Sequence, residues 1–100
     1  MSDRIRVSID PDIEDLIPGF LNNRRNDVDQ IRTALASGDF AKIRLLGHSM
    51  KGAGGGYGFD PITDYGAALE QAALEEDAVR IERAVAALAD YLARVEPVFD

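Results

Sequence analysis

One hundred residues, 46% of them apolar, suffice for one domain with one hydrophobic core, and a division into two domains is not expected. The chain has no cysteine and a single histidine, which excludes disulfides, thiolate metal sites and multi-histidine metal sites. A net charge of −7 is the wrong sign for nucleic-acid binding, which needs a basic footprint, and better suits a protein partner with a basic or mixed surface.

The N-terminal stretch MSDRIRVSID lacks the apolar run of a signal peptide. No segment approaches the roughly 20 apolar residues that span a bilayer, so a cytoplasmic location without a membrane partner is expected. Arg4 to Asp10 alternates, with Ile5, Val7 and Ile9 on one side. No second strand is evident, so residues 1–10 are expected to form an extended arm lying on the body. Asp10-Pro11 puts a capping acceptor before a first-turn proline, which predicts a short helix to about Ile17 that Pro18 restarts or kinks.

Leu21, Val28, Ile31 and Leu35 then recur at helical spacings until Ser37-Gly38-Asp39 closes the segment. From Phe40 to about Phe59, Ile43, Leu46, Met50, Ala53 and Tyr57 keep the same period. Asp60-Pro61 stops that segment and starts another, striped by Ile62, Tyr65, Leu69, Ala72 and Ala73. A last helix is predicted from about Asp77 to Val95, with Ile81, Val85, Leu88 and Leu92 inward and Glu96-Pro97 at its end. The expected architecture is an all-α, antiparallel four-helix bundle with a short additional N-terminal helix, one domain over residues 1–100. Phe20, Phe40, Tyr57 and Tyr65 belong to the core or its rim, and Arg24-Arg25 reads as solvated charge. Nothing in the apolar stripes demands a dimer, so a monomer is expected.

The third segment contains LGHSMKGAGGGYG, where the only histidine precedes five glycines at positions 52, 54, 55, 56 and 58. Arg44, His48, Lys51, Gly52 and Gly55 share a stripe apart from the apolar one, and it carries no large apolar residue. Glycine in a helix costs about 1 kcal/mol relative to alanine, so five cost roughly 4 to 5 kcal/mol, near the lower end of a domain's stability. Either another backbone or a ligand approaches closely, or the glycines cradle a phosphate. A Walker loop would end its glycines on Lys-Ser/Thr, whereas here the lysine precedes them. The dinucleotide pattern GxGxxG fails at Tyr57 or Phe59, with no strand before it. A catalytic triad fails too, because Ser49 follows His48 directly and points about 100° away on a helix. What remains is an imidazole and an ammonium group one turn apart beside missing side chains, a surface suited to phosphoryl chemistry.

His48-Ser-Met-Lys51-Gly52 followed by Gly58 resembles the HxxKGxxxxxG signature of histidine-containing phosphotransfer (HPt) domains, and the helical layout and Leu69-Glu70-Gln71-Ala72 look like that family as well. The resemblance implies that His48 is the phosphoacceptor at Nε2 and Lys51 its charge partner. It implies that Gly52 clears the approach, that Gly58 permits close helix packing, and that Glu70, or Gln71 one position on, holds the other ring nitrogen of His48. Arg44, Gly52 and Gly55 would then face a docked receiver. The chain departs from the family in its additional glycines 54, 55 and 56, which predict a looser second half of the helix.

The function implied is a phosphorelay intermediate, a covalent phosphocarrier and not an enzyme in its own right. It would take a phosphoryl group from a receiver aspartate, or a kinase, and pass it to another receiver aspartate. Partners would be receiver domains of response regulators and hybrid histidine kinases. No intrinsic cofactor is expected, with Mg²⁺ held by the receiver. The alternatives are a module that docks on and sequesters a response regulator or histidine kinase without turnover, and a substrate domain of a chemotaxis-type kinase. The Met1-Ser2 start favours a free-standing protein or a short excised domain over the latter.

Overall fold

The computed structural model describes residues 3–100. Strand β1 (Ile5–Ile9) leads through a 3-10 turn (Pro11–Leu16) into helix α1 (Ile17–Ser37), followed by α2 (Phe40–Gly54), a second 3-10 turn (Gly55–Tyr57), α3 (Asp60–Leu74), α4 (Ala78–Arg94) and strand β2 (Val95–Phe99). The four helices pack as an all-α bundle.

Local chemistry sets the helix ends. Gly38 adopts φ 72° and returns its N–H to the carbonyls of Ala34 and Leu35, ending α1 in a left-handed cap that favours glycine. One residue on, the Asp39 carboxylate accepts from the Lys42 N–H and starts α2, and Asp77 does the same for α4 through Arg80 N–H. Short caps of this kind reverse the chain between neighbouring helices. The helices bury a common face in which Ile17, Ile31, Ile43, Met50, Phe59, Ile62, Leu69, Ile81 and Leu88 are closed to solvent. Phe20 stacks on Tyr57 at 4.3 Å and on Phe59 at 5.6 Å, tying the start of α1 to the glycine-rich end of α2.

Three expectations are corrected. Residues 5–9 are extended but are not an arm without a strand partner: β1 pairs in parallel with β2, from Ile5 opposite Val95 to Ile9 opposite Phe99. Met1 and Ser2, the start of that arm, lie outside the described residues. Glu96-Pro97 ends the helix but also belongs to the partner strand. A two-stranded sheet leaves each strand an unpaired edge where proline's missing N–H is tolerated. Arg94 Nε donates to the Asp3 carbonyl at 2.7 Å and Ser8 Oγ bonds Asp100 at 2.7 Å, closing the clasp at both ends.

The third segment is not one helix to Phe59, since α geometry stops at Gly54 and the chain tightens to 3-10 before Gly58 turns left-handed at φ 92°. Arg24 is not solvated either. Its side chain is 14% exposed, sits 2.8 Å from Asp27 and lies 5.0 Å over the Phe20 ring. Burial pushes the Asp27 carboxyl above its ordinary range, against the lowering pull of Arg24. Among the described residues no helix is long and apolar enough to cross a membrane.

Candidate functional site

The site is built where α2 and α3 approach most closely, and glycine makes the approach possible. A Cβ on Gly47 would lie 2.7 Å from Glu70 N and 2.8 Å from the Gly66 carbonyl. A Cβ on Gly66 would lie 2.5 Å from Lys51 N. Both obstacles are backbone and cannot swing aside, so each helix lies directly on the main chain of the other. Short side chains can therefore reach across.

Glu70, on α3, uses that proximity twice. Its Oε2 stands 2.8 Å from His48 Nδ1 and its Oε1 stands 2.7 Å from Lys51 Nζ. The hydrogen bonds from Lys51 and from His48 hold its carboxyl below the usual glutamate range. An ionised carboxylate only accepts hydrogen bonds, so the proton of a neutral His48 ring resides on Nδ1 and Nε2 keeps its lone pair. The His48 side chain is 68% exposed and so accessible to a partner. Lys51 is more sheltered, and its ammonium group is engaged by Glu70 in place of standing free.

The remaining predicted residues divide. Gln71 is not at the ring: it donates to Glu75 at 2.6 Å along its own helix, so the register that put Glu70 on His48 holds. Arg44 is exposed one turn before His48, and a Cβ on Gly52 would meet nothing within 4 Å, so both border open surface. Gly55 does not. Its N–H donates to Thr63 Oγ1 at 2.8 Å and its Cβ position faces Thr63 and Asp60, placing it in the α2–α3 joint. Gly58 is needed for its left-handed turn, and the nearest obstacle to a side chain there is Ile9 of β1, so helix packing is not its role.

Sequence reasoning missed Gly47 and Gly66, which make the site possible, and Thr63 beside them. A partial signal existed for Gly47, which lies seven residues before Gly54 and so on the same helix face. Leu45, 67% exposed and three residues before His48, was also overlooked. α2 carries Lys42, Arg44 and Lys51 and no carboxylate, a basic helix in a chain of net charge −7. Among the described residues no group of three or more histidine, aspartate or glutamate side chains could hold a metal ion.

The family model of the Hpt domain matches residues 15–97, which leaves β1 outside the match. No curated protein and no solved structure matches the chain significantly.

Proposed function

The chain belongs to the Hpt domain family, phosphocarriers that exchange phosphoryl groups with receiver domains in phosphorelay signalling, and from that premise we propose that His48 carries the phosphoryl group. The observation that supports this is the 2.8 Å contact from His48 Nδ1 to Glu70, which leaves Nε2 as the unprotonated, accessible nitrogen.

In the proposed reaction the Nε2 lone pair attacks the phosphorus of a receiver's aspartyl phosphate. The N–P bond forms, the acyl P–O bond breaks, and the aspartate leaves as a carboxylate. The ring keeps its Nδ1 proton and gains positive charge, which the Glu70 carboxylate stabilises across the hydrogen bond already in place. Lys51 turns its ammonium group from Glu70 to the new phosphoryl oxygens, a charge-assisted contact one helical turn from the acceptor. Transfer to a second receiver reverses these steps. Mg²⁺ would be held by the receiver's carboxylates and would offset the phosphoryl charge there, and this chain contributes position and charge.

Docking is assigned to the outer face of α2. Gly52 leaves room beside His48, Leu45 offers an apolar contact, and Arg44 with Lys42 complements an acidic pocket. Intact mass after incubation with an acyl-phosphorylated receiver and Mg²⁺ tests the reading. Wild type should gain about 80 Da, one phosphoryl group, and His48→Gln should gain nothing. The adduct should be lost in acid and persist in base. Receivers that bind without transferring would instead identify a docking module that sequesters them.

A further inference from the structure

Threonine inside a helix usually bonds a carbonyl of its own preceding turn. Thr63 of α3 reaches across to α2 instead. Its hydroxyl accepts from the Gly55 N–H at 2.8 Å and donates to the Lys51 carbonyl at 3.1 Å. Residues 51 and 55 are the pair that one turn of α-helix joins directly, so the hydroxyl bridges α2's own ladder at the point where the helix tightens to 3-10. Gly54 is what admits it, since a Cβ there would stand 2.6 Å from Thr63 N and 2.8 Å from its Oγ1.

Thr63, Gly66 and Glu70 lie three and four residues apart, on one stripe of α3. Each meets a different part of Lys51. Thr63 bonds its carbonyl, Gly66 lets the backbone of α3 lie against its amide, and Glu70 pairs with its ammonium group. One face of α3 thus grips a single residue of α2 at three points. Removing the first would free the end of the turn while leaving the charged pair chemically intact.

We propose that Thr63 is a positioning residue of the phosphotransfer site, its hydroxyl fixing the turn of α2 that presents Lys51 to Glu70 and to the phosphoryl group. This rests on reading His48 as the phosphoacceptor and Lys51 as its charge partner. Thr63 touches neither phosphate nor imidazole and acts through Lys51. It also accounts for the glycine after Ala53, which lets α3 close on the end of α2.

The test compares wild type, Thr63→Val, Thr63→Ser and His48→Gln in single-turnover transfer from an acyl-phosphorylated receiver with Mg²⁺. Valine keeps the shape and removes the hydroxyl. Transfer at saturating receiver should slow about tenfold, the scale of losing hydrogen bonds that hold a group in place, with half-saturation unchanged. Serine should restore the rate. In Thr63→Val the Glu70 carboxyl, followed by NMR, should titrate closer to the ordinary value of 4.5 as Lys51 loosens. A wild-type rate in Thr63→Val, or a Thr63→Ser as slow as Thr63→Val, overturns the proposal.

If Thr63→Val does not fold, amide exchange in the wild-type chain decides. The Gly55 N–H should be protected, and exchange at the rate of an open amide overturns the proposal as well. A wild type that takes no label on His48 refutes the phosphoacceptor reading instead, and the Glu70 titration and Gly55 exchange still report whether Thr63 positions Lys51.

Discussion

The two faces of α2 use glycine for opposite reasons. On the face toward α3, Gly47 and Gly54 stand where any Cβ would strike backbone, and Gly66 answers them from the other helix. On the outer face, Gly52 has nothing within 4 Å of where a side chain would be, and neither does Gly56 in the 3-10 turn that follows. The inner set brings Glu70 within reach of two side chains on α2. The outer set clears space that another molecule can occupy. A glycine-rich helix is thus a contact surface on one side and an access route on the other, and composition alone does not distinguish them.

Substitution separates the faces. Gly66→Ala, with its Cβ 2.5 Å from Lys51 N, should be the most damaging. Forcing the helices apart is an overpacking change worth about 3 kcal/mol, read as a lower denaturant midpoint, and it should slow phosphotransfer by displacing Glu70. Gly58→Ala comes next, at about 1 to 2 kcal/mol of stability, because φ 92° is left-handed and Ile9 must also move. Gly52→Ala should have the opposite sign, raising stability by up to about 1 kcal/mol through better helix propensity while slowing transfer from a receiver. A destabilised Gly52→Ala, or a neutral Gly66→Ala, would break the division of the two faces.

The smallest effect concerns pH. The pairing with Lys51 and His48 lowers the Glu70 carboxyl below 4.5, its ordinary value. A depressed carboxylate contributes stability that is fully present above the unfolded value and is lost as pH falls through the folded one. The His48–Glu70 contact should therefore persist through neutral and mildly acidic pH and fail only below the ordinary glutamate range. An NMR titration of Glu70 with a midpoint at or above 4.5 would show that the pairs do not form in solution.

His48 and Lys51 were legible because they lie on a helix whose period is written locally, and Glu70 because the family resemblance pointed to it on a helix whose start is equally local. His48 and Lys51 share a turn, and Asp60-Pro61 sets the phase of the helix that carries Glu70. β2 was hidden because five residues containing a proline look like a helix stop, and a parallel pair depends on a strand some 90 positions away. Phe20 and Asp27 lie one turn either side of Arg24 on its own helix, so that pairing was open to the helical period; what the sequence did not show is that this turn is largely covered by the rest of the fold. Thr63 was invisible because its partners, Lys51 of α2 and Gly55 of the turn that follows, belong to a different segment.

By itself the sequence determined four amphipathic helices, their caps and turns, and a histidine and lysine on one exposed turn, since all of these follow from hydrogen bonds and side-chain periods within a few residues. Only the tertiary structure decided which glycines are contact and which are access, that Glu70 and not Gln71 meets the imidazole, and that the chain ends pair as strands. Those depend on distances of a few ångströms between segments remote in the chain, and such distances are set by the packing of the whole core.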